Sequence, residues 1–250
     1  MSLAYKYRSL NSEFHTRCLT HGELFFAPPA TLNDLYEGVG PFAATLGLDA
    51  DPQKVLDALS KELGANLNIS NQKVEDLLDF ERALLSILIN RVGQREFFRD
   101  ANDKLGVLSL SRNPTSMPMW AHYANSHDGF CLGIDPDQIL NENDAIVGFE
   151  VIYDKKELKR EFTLAQAILG HKFREWAYEA EYRMITGAPS RILTLEPHNV
   201  QEVIFGARVS KKELEKYFEI VSDRYPHASV KLASANYEES GLSLSEMSSP

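Results

Sequence analysis

The sequence has only two cysteines, Cys18 and Cys131, at a spacing that suits neither a disulfide framework nor a metal knuckle. Stability must therefore come from an apolar core, for which 250 residues at 44% hydrophobic composition suffice. No apolar run approaches the roughly 18 residues of a membrane span, and no basic segment leading into an apolar one opens the chain. The expectation is a cytoplasmic protein with no membrane partner. Positive charge is also scarce: 26 Lys and Arg against 36 Asp and Glu leave a net charge of −10. That balance disfavours an extended nucleic acid as partner, because such affinity comes largely from cationic contacts to phosphates. Phosphate-cradling glycine loops and the Gly-x-Ser-x-Gly elbow are both missing, which makes P-loop, dinucleotide-fold and serine-hydrolase chemistry poor fits.

What is present reads as an α+β domain over residues 1–237, with a mixed, mainly antiparallel sheet core and a helical insertion at about 51–103. Leu3 to Leu10 alternates as a strand, with Tyr5 and Tyr7 on one face and Lys6 and Arg8 on the other. A helix is expected from Asn11 towards Gly22, then a strand at Glu23 to Ala27 and a loop carrying Asn33, Asp34 and Glu37. Residues 51–103 have apolar positions at helical spacing and charges that alternate as on a solvated face. Strands are expected at Gly106 to Arg112, Phe130 to Ile134, around Val147 to Tyr153, Arg191 to Leu195, Val200 to Phe205 and Val230 to Ala235, with a short helix at Met117 to Ala124. A helix is read over about Lys155 to Ala177. Tyr178 to Thr186 follows as a strand placing Glu179, Glu181 and Arg183 on one face, the carboxylates about 7 Å apart. Ser210 and Glu213 form a capping box before a helix to Tyr225. Residues 238–250 read as a disordered polar tail.

Candidate site residues concentrate between Ser109 and Asp135, where Ser109, Ser111, Trp120, His122, Tyr123 and His127 crowd a connection between two apolar strands. His122 and His127 are five apart, which does not place both on one helix face, and no third ligand stands at a recognised distance, so no metal site is assigned. Glu179 and Glu181 beside Arg183 form the stronger signal: a nearby arginine keeps one carboxylate ionised, while desolvation could raise the other for acid or base work. Alternation of such charges is also common on a plain solvent face. Lys6 and Arg8 next to two tyrosines suit a phosphate or carboxylate, which Arg grips bidentately. Asn33 and Glu37 could close the same pocket.

Several strings together carry a resemblance over nearly the whole chain. They are Tyr5-Lys6-Tyr7-Arg8, Phe26-Ala27-Pro28-Pro29 with Asn33, Asp34 and Glu37, and Leu108-Ser109-Leu110-Ser111. With them go Met119-Trp120-Ala121-His122-Tyr123-Ala124 followed by His127, Gly129, Phe130 and Gly133, and Tyr178-Glu179-Ala180-Glu181-Tyr182-Arg183. In these the sequence resembles the bacterial domain-of-unknown-function family 2971, whose members are similar to abortive phage-resistance proteins, implying a defence or toxin setting. More distantly it resembles the ADP-ribosyltransferase fold. That likeness implies NAD as substrate, Arg8 on its phosphate or ribose, Ser109 or Ser111 and Tyr123 along the nicotinamide ribose, and Glu181 as the catalytic carboxylate, with Glu179 competing for that role.

The leading expectation is thus a metal-independent nucleotide-handling enzyme, an ADP-ribosyltransferase or NAD glycohydrolase type. Its catalytic residues would be Glu181, Glu179 and His122, with substrate contacts from Arg8, Lys6, Asn33, Glu37, Ser109, Ser111, Trp120, Tyr123, His127 and Arg183. Two alternatives stand beside it: a non-enzymatic module that binds a small ligand or a protein segment, and a metal-dependent hydrolase built on the histidines and a glutamate. The enzyme reading requires Arg8, a serine of the Ser109/Ser111 pair, His122 and Glu181 to meet in one cleft.

Overall fold

The structure is a computed structural model that describes residues 2–33, 104–153, 169–238 and 240–248. The segment read as a helical insertion, Glu37, and most of the helix read over about 155–177 lie outside the described residues.

An eight-stranded sheet forms the α+β core. Its strands are β1 (Ala4–Ser9), β3 (Gly106–Ser111), β4 (Gly129–Ile134), β5 (Ile146–Glu150), β6 (Glu181–Thr186), β8 (Val200–Phe205), β9 (Ser229–Asn236) and β10 (Gly241–Glu246), in the spatial order β10-β9-β8-β4-β1-β3-β6-β5. Every neighbouring pair is antiparallel except β8 and β9. A separate two-stranded ribbon pairs β2 (Glu23–Phe25) with β7 (Ile192–Thr194). Among the described residues no helix is long and apolar enough to cross a membrane.

The two faces of the sheet are covered differently. On one, α1 (Glu13–Thr20) and α4 (Lys211–Arg224) bury Cys18, Leu19, Tyr217 and Val221 against Leu108, Leu132, Phe130 and Val203. Gly22 ends the first helix with φ +72°, a left-handed conformation that glycine adopts without a Cβ penalty. Ser210 caps the other, its Oγ accepting from the Glu213 amide at 3.3 Å. On the opposite face α2 (Met117–Tyr123), with Pro118 in its first turn, packs Met119 and Trp120 onto Tyr7, Cys131 and Ile204. A third helix, α3 (Pro136–Glu142), was not foreseen. Asp135 starts it, its carboxylate accepting from the Asp137 and Gln138 amides.

Two expectations require correction. The strand read from Tyr178 begins only at Glu181, because Arg174–Glu179 is a 3-10 helix and Ala180 turns the chain with φ 41°. Glu179 therefore reaches the site from a helix end and not from the alternation of a strand. The tail read as disordered instead contains β10, in register with β9 from Gly241–Asn236 to Glu246–Lys231. Leu242 and Leu244 alternate with serines and pack on the Trp120 cluster, a period-two pattern that a low average hydrophobicity conceals.

The joint between β1 and β3 is the unusual part of the sheet. On its other side β1 pairs with β4 through six consecutive residues, from Ala4–Ile134 to Ser9–Gly129. It meets β3 at one pair only, Tyr5–Ser111. Beyond that rung β3 takes a different neighbour: Ala27 and Val107 exchange both backbone hydrogen bonds at 2.8 Å. The two central strands diverge, and a gap opens between them.

Candidate functional site

Strand divergence makes a cavity of about 210 Å³ in that gap. Tyr5, Lys6, Tyr7 and Arg8 line it from β1, and Val107, Ser109 and Leu110 from β3. Met119 and Tyr123 come from α2, Asn33 from the loop after β2, and Lys172, Glu179 and Glu181 from the segment leading into β6. Four consecutive residues of β1 line the cavity, although their side chains start on opposite faces of the strand.

The β6 side is an ion-pair network. Ser109 and Arg183 are register partners, as are Ser111 and Glu181, so these side chains share one face. Glu181 is buried, and its Oε1 and Oε2 accept from Arg183 Nε at 2.7 Å and Nη2 at 2.9 Å. This is the bidentate geometry that a guanidinium favours. Lys172 Nζ lies 3.4 Å from Glu181 Oε2 and 2.6 Å from Glu179 Oε2, and it also donates to Asn33 Oδ1 at 3.1 Å. Tyr123 Oη donates to Glu179 Oε1 at 2.7 Å, and Asn33 Nδ2 donates both to that oxygen at 3.2 Å and to Tyr123 Oη. Burial alone would raise the Glu181 carboxyl. The Arg183 charge and hydrogen bonds, the Lys172 charge and a hydrogen bond from Ser109 bring it down to about 2 instead. Glu181 is thus a permanent negative charge at neutral pH. Burial, reinforced by Glu179, keeps the Tyr123 hydroxyl protonated by pushing its pKa up.

The β1 side is different in kind. Lys6 Nζ donates to the Ser109 carbonyl oxygen at 2.6 Å, replacing a missing backbone donor in the broken ladder with an ammonium or amine. The Arg8 guanidinium makes no hydrogen bond or ion pair among the described residues. Burial pushes both groups down from their ordinary values, and the Arg8 charge depresses Lys6 further, well below the usual lysine range. Burial and then the same two cations lower His15, on the α1 side. Among the described residues Arg8 is accordingly a persistent uncompensated cation of the cavity.

The expected site residues divide cleanly. Arg8, Lys6, Asn33, Ser109, Tyr123, Glu179 and Glu181 line the one cavity, and Arg183 stands directly behind Glu181. Ser111 is buried at the closed end of the gap, bonded to the Asn113 amide at 3.1 Å. Trp120 is a core residue: fully buried, it donates Nε1 to the Pro114 carbonyl at 2.9 Å, stands edge-on to Tyr7 and stacks on His127 at 6.2 Å. Neither Trp120 nor His127 touches the cavity. His122 is exposed on α2, beside Tyr123 and Tyr178, and it too lies outside the cavity lining. Of the four groups the enzyme reading required in one cleft, only Arg8, Ser109 and Glu181 meet there, and His122 has no catalytic place in it. Lys172 was missed altogether. Its only sequence signal is a basic residue seven positions before Glu179, which becomes meaningful once a 3-10 turn folds the two together.

Among the described residues no three His, Cys, Asp or Glu side chains gather to hold a metal ion. Arg8 could hold the phosphate or carboxylate of an organic ligand, and Glu181 could face a centre that becomes positive. No curated protein and no solved structure gives a significant match to the chain. A family model described as "Protein of unknown function (DUF2971)" matches residues 119–184, the part running from α2 through Lys172, Glu179 and Glu181 into β6.

Proposed function

We propose that the protein is a nucleotide-handling enzyme that breaks the glycosidic bond of NAD without a metal, transferring or hydrolysing the ADP-ribose. The observation that carries this reading is the placement, across one cavity, of an unpaired arginine and a carboxylate fixed in its charged form. Departure of nicotinamide leaves positive charge on the ribose. A carboxylate already ionised, oriented by Arg183 and Ser109, interacts more strongly with that transition state than with the substrate. Its low pKa makes Glu181 an electrostatic stabiliser and a poor proton carrier. Arg8 takes the adjacent phosphate. At about 210 Å³ the cavity is smaller than the roughly 300 Å³ at which sites for whole drug-sized ligands begin. It therefore takes the nicotinamide ribose and one phosphate, not the adenosine end. The resemblance to phage-resistance proteins suggests a defence or toxin setting in a bacterial cytoplasm.

The test is to incubate the protein with NAD and follow free nicotinamide. Release is expected, with loss of more than about a hundredfold in Glu181→Gln, in line with removal of one strong transition-state contact. Release that survives in Glu181→Gln sinks the assignment. A second reading has one observation in its favour: both Glu181 oxygens already carry bonds. It is a ligand-binding module, and saturable binding of NAD with no nicotinamide released would establish it.

A further inference from the structure

Among the described residues two lysines reach the cavity, and one of them is ion-paired. Lys172 takes both carboxylates. Lys6 forms no ion pair among the described residues, and its one hydrogen bond goes to a neutral carbonyl, Ser109 O at 2.6 Å. Arg8, two residues along the same strand face, stands about 7 Å away by strand geometry. An arginine does not give up its proton in a protein, so of the two neighbouring cations the lysine is the one that loses charge. Burial acts in the same direction, and together they outweigh the opposing pull of Glu181, Cys18 and Glu179, which face Lys6 from the neighbouring elements. A desolvated lysine beside a second cation, open to a cavity, is the arrangement that turns an amine into a nucleophile.

From this geometry we propose that Lys6 is a nucleophilic amine that condenses with a small aldehyde or ketone whose carboxylate or phosphate is held by Arg8. The nitrogen lone pair adds to the carbonyl carbon. The carbonyl oxygen then leaves as water with both amine hydrogens, and a C=N bond joins Lys6 to the ligand. No oxidant, reductant or metal enters that balance. The cavity is sized for such a compound, and its two polar ends separate the roles, with Arg8 on the anion and Lys6 on the carbon. This chemistry shares the cavity with the reading above but does not depend on it, since neither NAD nor Glu181 takes part.

Reductive trapping of the intact wild-type chain tests it. The protein is incubated at neutral pH with glyoxylate and cyanoborohydride, and each lysine's modification is followed by peptide mass spectrometry. Lys6 is expected to label at least about tenfold faster than the exposed Lys211 and Lys212, and its rate should level off at a lower pH than theirs. Arg8→Gln should remove most of the advantage with glyoxylate. It should leave labelling by propanal, which has no anion, faster at Lys6 than at Lys211. Labelling of Lys6 no faster than the surface lysines overturns the proposal. An advantage with glyoxylate that is untouched by Arg8→Gln overturns the role of Arg8. Nicotinamide release is read in a separate assay, so failure of either idea leaves the other standing.

Discussion

The two sides of the cavity solve the burial of charge in opposite ways. On the β6 side, Glu179 and Glu181 are matched by Lys172 and Arg183, every carboxylate oxygen has a donor, and the network is closed. On the β1 side, Lys6 has a carbonyl and Arg8 has no partner of opposite sign among the described residues. A closed ionic network holds its members in fixed positions, and removing one leaves its partner buried and charged. An open one costs stability continuously and repays it only when a ligand arrives. The contrast teaches that cavity chemistry should be sought where compensation is missing, with the compensated side acting as its rigid backstop.

The largest effect that could break this comparison is on stability. Arg183→Met is expected to cost about 3–5 kcal/mol, because it strands Glu181 in the interior, and denaturant unfolding measures it. A loss under 1 kcal/mol would mean that the β6 network is not closed. Next comes ligand binding: Arg8→Gln should weaken NAD binding by at least tenfold, as calorimetry would show, while raising the unfolding midpoint slightly because it removes a buried uncompensated charge. The pH dependence should follow Glu181. Its carboxyl sits at about 2 in the folded chain, against an ordinary value of 4.5. A folded pKa below the unfolded one means that the unfolded chain binds the proton first, so stability is full above about pH 5 and declines as pH falls towards 2. Glu181→Gln should flatten that decline. Smaller and opposite in sign is Lys6→Met. It removes an uncompensated amine and should raise stability at pH 7 by on the order of 1 kcal/mol, where Lys172→Met lowers it. The Lys6 contribution has its own sign. A lysine lowered on folding binds fewer protons folded than unfolded, so its penalty is present at neutral pH and fades as pH rises towards 10.5. The smallest effect is at His122, where substitution by Asn should leave nicotinamide release within about twofold, since the ring is exposed and off the cavity.

Much of the sheet was legible because its strands alternate or run apolar: β3, β4, β8 and β9 fall within a residue or two of where composition puts them. The candidate site was legible as a set of residue types on converging strands, and Arg8, Ser109, Tyr123, Glu179 and Glu181 do share a cavity. Partners and roles were less so. Lys172 carries no local pattern, because an ion pair is made by tertiary proximity and a turn. Trp120 and His127 look like ligand contacts in the sequence, but large aromatics are also the commonest way to fill a core, and Trp120 does that with its indole nitrogen satisfied by a carbonyl. Glu179 and Glu181 were placed together for the wrong reason. A strand's period of two and a 3-10 turn ending at Ala180 both bring them to one place, and the sequence does not separate the two. The C-terminal strand was lost to its serines, which face outward between the leucines that pack.

A sheet joined at one rung has consequences for how the molecule deforms. The five strands from β10 to β1 form one plate and β3, β6 and β5 another, and the pair Tyr5–Ser111 is the pivot between them. Opening or closing that joint changes the width of the cavity without breaking any ladder inside either plate. The width of the cavity is therefore set by an angle between two plates, with Lys6 on the Ser109 carbonyl, Tyr7 on the Asn113 carbonyl and Arg112 on the Ser2 and Leu3 carbonyls as side-chain tethers across it.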